Sequence, residues 1–237
     1  MIFEYEKTFM TLLLTFLPGL LIVFYFVYSD RFKEPKKIIL ITFILGNAIA
    51  FPAGYLNYYV QIFFSNGNII NDALVGGAFA GALVEEILKF FVLYLYVFKQ
   101  KEFNEPMDAI VYGVIVSLGF AINENYDYVY RVAELKSILP WDMALARSYS
   151  AIPMHAVCGI IMGFYFGQNF YIERGKSFSL ALIIPIIIHG SYNFLLQFNE
   201  LYALIILALA VVFCFYLYKV AKEHQEAKEN EPEEKLD

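Results

Sequence analysis

Inside the apolar stretches of this chain stand side chains that hydrocarbon should exclude. Glu85 and Glu86 sit together with Lys89 just beyond them. Phe120 is followed by Asn123, Glu124 and Asn125. Arg147 and His155 mark a third stretch, and His189 and Asn193 a fourth. A charged group at the centre of a bilayer costs roughly 3 kcal/mol on insertion scales, so four successive stretches that each keep a polar group point to a shared site. Hydrolysing an amide needs an activated water, a proton donor for the departing amine and a stabiliser for the oxyanion. A carboxylate poised between burial, which disfavours its charge, and an ammonium, which favours it, can act as general base; Glu85 beside Lys89 is placed for that. A histidine could hold the water or protonate the amine, and the Asn193 amide could face the oxyanion. A metal version is equally legal. Glu86 or Glu124 with His155 and His189, leaving one position open, would be a hydrolytic set of the zinc type. The missing His-Glu-x-x-His arrangement argues mildly against a familiar zinc protease.

Spacing refines this picture. Glu85 and Lys89 are four apart, so they share a helix face and can pair, while Glu86 is rotated by about 100° and can point elsewhere in the interior. His189 and Asn193 share a face for the same reason. His155, Gly159 and Gly163 form a stripe that suits close packing on a neighbour, and Gly77 and Gly81 make a small-xxx-small pair that predicts a tight helix contact just before the glutamates. Each motif alone has a plainer reading. Glu85 with Lys89 could be a buried ion pair fixing register, Glu124 could snorkel into the interface, and His155 or His189 could be hydrogen-bonded packing residues. Structural pairing needs one or two such groups, not a convergent set.

The elements that must position these residues follow from composition. The chain has 237 residues, 60% hydrophobic and 17% charged, against roughly 45–50% and about 25% in soluble domains. About 20 apolar residues cross a hydrocarbon core of about 30 Å. The expected fold is an all-α polytopic bundle of about seven spans, near 8–28, 38–64, 73–98, 108–130, 150–172, 178–198 and 201–219. These form one transmembrane domain over 1–219, with a charged, disordered cytoplasmic tail over 220–237. Cys158 and Cys214 sit in apolar runs without partner spacing, so neither a disulfide framework nor a cysteine zinc site is indicated. The N-terminus lacks a signal-peptide pattern, so the first run should stay as a helix. The net charge of −6 comes largely from the tail, and no basic face for nucleic acid is present.

Lysines and arginines set the orientation. Arg31, Lys33, Lys36, Lys37, Lys99, Lys101, Arg174, Lys176, Lys219, Lys222, Lys228 and Lys235 fall on one side, against Lys7, Arg131, Lys136 and Arg147 on the other. The N-terminus is therefore expected outside a prokaryotic cell membrane and the C-terminus in the cytoplasm. Glu85 then lies about 18 Å from the outer end of its span and Glu124 about 10 Å from the end of its own, which predicts a pocket wetted from outside.

With the motifs in order, each in its own span, the chain resembles the PrsW family of intramembrane proteases. That family belongs with the prenyl-protein (CAAX) endopeptidases and bacteriocin-immunity membrane proteases. The resemblance rests on Glu85-Glu86-x-x-Lys89, Phe120-x-x-x-Glu124-Asn125, His155 and His189-x-x-x-Asn193, and covers about half the chain. It implies that Glu85 and Glu86 supply the catalytic carboxylate, with Glu85 the base, and that His155 and His189 are the catalytic imidazoles. Asn193 would then be the oxyanion partner. Glu124 stands where CAAX enzymes carry a histidine, which weakens the case for a prenylated substrate. The implied role is site-1 cleavage of an anti-sigma factor-like, membrane-anchored protein, with Lys89, Asn125 and Arg147 in support and either a divalent metal such as zinc or no cofactor at all. Two other readings stay open: a proton- or cation-coupled transporter using the same carboxylates, against which no internal repeat is found, and a non-catalytic membrane scaffold.

Overall fold

The computed structural model describes residues 2–171 and 177–230. Ten α-helices follow in order: α1 (Ile2–Ser29), α2 (Lys36–Phe64), α3 (Ile69–Ala73), α4 (Glu85–Leu95), α5 (Pro106–Asp127), α6 (Ala133–Leu135), α7 (Pro140–Tyr149), α8 (Ala151–Tyr171), α9 (Leu180–Leu196) and α10 (Glu200–Asn230). Two π-helical segments, Leu74–Val84 and Tyr128–Val132, run into α4 and out of α5. Five stretches are by themselves long and apolar enough to cross a membrane: Thr8–Ser29, Lys36–Phe64, Pro106–Leu135, Pro140–Tyr171 and Glu200–Glu226. With the shorter apolar helix α9 and the broken α3–π–α4 segment, the described residues hold five to seven apolar helical stretches that could cross a membrane, in the all-α bundle that the sequence predicts.

Burial sorts these helices. Within an apolar 18-residue segment of each stretch, 89% is buried inside the protein for Pro106–Leu135 and Pro140–Tyr171, which hold α5 and α8, against 22–28% for α1, α2 and α10. A helix apolar all round but little covered by protein is one whose remaining surface suits lipid. The two central helices meet backbone to backbone. A Cβ added at Gly159 would lie 2.6 Å from the carbonyl oxygen of Gly113, so the glycine stripe below His155 is what lets α8 close on α5. The second small-residue pair also does what its spacing predicts: a Cβ on Gly77 would lie 2.9 Å from the Phe194 nitrogen, and one on Gly81 2.8 Å from Asn193 Nδ2. The π segment is thereby docked on α9.

Local chemistry sets the helix starts. Asn68 caps α3 by accepting from the backbone N–H groups of Ile70 and Asn71, satisfying donors that have no intrahelical partner. Pro106 and Pro140 open α5 and α7 at the position where a missing N–H costs nothing, and Glu105 with Asp108 forms a capping box at α5.

The structure departs from the sequence reading in three places. The 73–98 stretch is not one regular helix, because the small residues between Leu74 and Val84 allow the wider π register. The 131–147 connection is largely helical, so Arg147 sits on α7, inside the membrane-length stretch that begins at Pro140, with a break at Ser150 before α8. The last helix continues past 219 to Asn230; the rest of the expected tail, and Arg174 and Lys176, lie outside the described residues.

Candidate active site

The four motifs converge. From α4, the Lys89 ammonium donates to Glu86 Oε1 at 2.7 Å and lies 2.9 Å from His155 Nδ1 on α8. Glu85, the partner expected from i,i+4 spacing, is further off at 4.0 Å. Lys89 also sits 4.5 Å from the centroid of the Phe120 ring, which gives the phenylalanine of that motif a cation–π role. His155 Nε2 lies 2.9 Å from Glu124 Oε2, and the same oxygen accepts from Arg147 Nη2 at 2.6 Å. Arg147 Nε donates to Asn125 Oδ1 at 2.7 Å, and the Asn125 amide donates at 2.8 Å to the Thr15 carbonyl of α1. His189 Nδ1 lies 2.9 Å from Glu86 Oε1, and the two imidazoles meet edge to face with centroids 4.9 Å apart.

Protons can be placed on this network. Glu86 is a carboxylate already holding an ammonium, so His189 donates through Nδ1–H and keeps its Nε2 lone pair. Lys89 donates to His155 Nδ1, so His155 carries its proton on Nε2 and gives it to Glu124. Two carboxylates thus orient two imidazoles, the arrangement that fixes tautomer and ring position in hydrolytic sites.

A cavity of about 1000 Å³ opens onto one side of this network and is lined by Glu85, Glu124, Arg147, His155, His189 and Asn193 among others. Glu86, Lys89 and Asn125 do not line it and are fully buried. The paired glutamates therefore have different surroundings. Glu85 faces the cavity, accepts from Asn57 Nδ2 at 3.3 Å through Oε1, and has no hydrogen-bond partner at Oε2 among the described residues. Glu86 stands behind it, committed to Lys89 and His189. Asn193 lines the cavity and donates to the Gly77 carbonyl at 3.3 Å.

For a metal, Glu85, His155 and His189 offer ligand atoms all within 4.8 Å of one another, and so do Glu86, Cys158 and His189. One carboxylate and two imidazoles suit a hydrolytic zinc set, and Glu85 keeps an oxygen that accepts no hydrogen bond among the described residues. The donors fit. Both His155 nitrogens are engaged, Nδ1 with Lys89 and Nε2 with Glu124, so a metal would have to displace one of these partners.

Three residues at the site were not picked out from the sequence. Asn57 comes from α2, where nothing in the pattern separates it from a loop-facing amide. Cys158 shares a helix face with His155 at i,i+3, the one signal that could have found it. Tyr128 lies under the Arg147 guanidinium, 3.9 Å from its ring centroid, inside a motif that was read for its charges.

Residues 34–219 match the PrsW family of intramembrane metalloproteases. Among characterised relatives, "Protease PrsW" of Geobacillus kaustophilus is 33% identical over 186 residues, covering 77% of this chain and 78% of the relative. That of Bacillus subtilis is 33% identical over 183 residues, 76% and 79% of the two chains. The Oceanobacillus iheyensis protein is 31% identical over 215 residues, 87% and 94%. No solved structure matches the chain. A bundle with membrane-length helices, a buried glutamate–histidine cluster and a match spanning most of its length lead to one conclusion: the chain belongs to the PrsW family and is an integral membrane protein with intramembrane protease activity.

Proposed function

We propose that Glu85, with His155 and His189, activates the water that hydrolyses a peptide bond of a membrane-anchored protein near the outer side of the bilayer. The observation that carries this reading is the cavity: it reaches Glu85, both imidazoles and Asn193 while leaving Glu86 and Lys89 sealed behind them. The Glu85 carboxylate takes the proton of the attacking water. Nε2 of His189, held in place by Glu86, accepts from that water to orient it, and the proton taken by Glu85 passes from it to the departing amine. The Asn193 amide and the Arg147 guanidinium, both on the cavity wall, balance the oxyanion charge, since donors aimed at developing charge in a water-poor site are worth more than in bulk.

Glu85, His155 and His189 are also the residues that would hold a divalent metal such as zinc, which when bound supplies a Lewis acid and an easily ionised water. Glu86 and Glu124 keep their place in either case as the carboxylates that orient the two rings. Kinship with the CAAX endopeptidases is part of this reading, supported by the paired glutamates and His189-x-x-x-Asn193. The outward placement rests on the lysine and arginine bias, and with it goes site-1 cleavage of an anti-sigma factor-like substrate.

Purified protein in detergent, given a panel of single-span peptides with and without a chelator, tests the proposal. Cleavage by the wild type and its loss in Glu85→Ala is the expected result, with chelator sensitivity assigning Glu85 as metal ligand and resistance assigning it as base. Undiminished cleavage by Glu85→Ala would sink the role of Glu85. The transporter reading has no comparable observation behind it.

A further inference from the structure

At the other end of α5 from Glu124, sixteen residues or about 24 Å away along the helix, lies a second buried group of acids outside the proteolytic cluster. Asp30 at the end of α1, Glu34 in the α1–α2 connection and Asp108 in the first turn of α5 bring carboxylate oxygens within 4.8 Å of one another. Asp30 is 3% exposed and Asp108 1%. Their bonds account for only one oxygen each. Asp30 Oδ1 accepts from Gln225 Nε2 of α10 at 3.0 Å, and Asp108 Oδ2 from the backbone N–H groups of Asn104 and Glu105. Asp30 Oδ2 and Asp108 Oδ1 are buried with no hydrogen-bond partner among the described residues. Glu34 Oε2 accepts from Tyr112 at 2.5 Å. Burial pushes the Glu34 carboxyl above its ordinary range, against hydrogen bonds with Tyr112 and Asp108 that pull it down, and the carboxylates of Asp30 and Glu105 add to the rise. The nearby ammonium groups of Lys33 and Lys222 are turned to the backbone carbonyls that end α1, at Tyr28, Asp30 and Ser29.

Three carboxylates, two of them with a buried oxygen that no hydrogen bond reaches among the described residues, crowd like charge together, and their ligand type is hard oxygen throughout. Such sets select calcium or magnesium, whereas imidazole-bearing sets suit zinc. We infer that Asp30, Glu34 and Asp108 form a divalent-cation site of the calcium or magnesium class, which ties the end of α1, the α1–α2 connection and α5 together. Gln225, bonded to Asp30, brings the far end of α10 into the same knot. This assignment does not rest on the proteolytic reading and needs no activity to test.

The experiment follows thermal unfolding of the full-length protein in detergent, first in chelator and then with calcium, magnesium or zinc. Glu34→Gln is the key variant, because glutamine keeps an acceptor for Tyr112 while losing charge; Asp30→Asn is the second. Calcium or magnesium should raise the unfolding midpoint of the wild type and of Glu85→Gln by several degrees, and Glu34→Gln and Asp30→Asn should weaken the apparent cation affinity at least about tenfold. No shift up to about 10 mM, well above the weakest calcium sites, would overturn the inference. So would a shift kept by Glu34→Gln but lost in Glu85→Gln, which would assign it to the proteolytic cluster. A midpoint that responds only to acidification would replace the cation by a shared proton.

Discussion

The two ends of α5 handle buried charge in opposite ways. Near its C-terminal end, Glu124 is bracketed by Arg147 and His155, and the neighbouring Glu86 by Lys89 and His189. Each of these two carboxylates has a cationic and an imidazole partner supplied by the chain. At the N-terminal end, Asp30, Glu34 and Asp108 lie together and are met by an amide, backbone N–H groups and a phenol in place of cations. An ion pair is fixed once folded, so it suits a site that must hold two rings in register. A set of acids without its own cation leaves stability open to whatever cation is available.

Breaking one pair at the first end should have the largest effect on stability. Lys89→Ala leaves the fully buried Glu86 without its ammonium, which should cost about 3–5 kcal/mol in denaturant unfolding from detergent micelles. A much smaller loss would mean that water reaches Glu86. At the other end the sign reverses: removing a like charge by Glu34→Gln in chelator should leave stability unchanged or raise it. A clear loss there would show that the Tyr112 contact outweighs carboxylate repulsion.

Between the two ends the helix is held by backbone contact. Gly159→Ala drives a methyl against the Gly113 carbonyl and should destabilise by about 1–3 kcal/mol, the usual range for overpacking. It should also lower cleavage, because His155 rides one turn away on the same face. Loss of stability with cleavage unchanged would uncouple the packing stripe from the site. Smallest of all should be the stability change from Arg131→Ala. Its pair with Asp127 is bidentate, but the arginine side chain is 67% exposed, so about 0–1 kcal/mol is expected.

The bundle was legible in the sequence because hydrocarbon dictates length and composition, and the candidate catalytic residues because charges inside such stretches are conspicuous. Glu85, Glu124, His155 and His189 were each visible alone, and the structure brings them together. The assignment of Lys89 was less readable: i,i+4 spacing favoured Glu85, but the π segment ahead of α4 and the approach of His155 turn the ammonium to Glu86. Asn57 and Cys158 were hidden because amides and thiols in apolar runs are ordinary. The acidic group at the far end was hidden for another reason. Asp30 with Glu34, Asp108 and Gln225 come from three distant places, each of which reads by itself as a helix end or a turn. Only the packing of α1, α5 and α10 assembles them.

The central claim is the division of labour between the adjacent glutamates, and the most direct test compares Glu85→Gln with Glu86→Gln in one assay of cleavage and unfolding. Glu85→Gln should stay folded and lose about 10²–10⁴-fold in cleavage rate, the range for a general base. Glu86→Gln should be the less stable protein, because it leaves Lys89 buried without its carboxylate, and should keep measurable cleavage while folded. An inactive, fully stable Glu86→Gln beside an active Glu85→Gln would contradict the account and move the reacting carboxylate one residue along the helix.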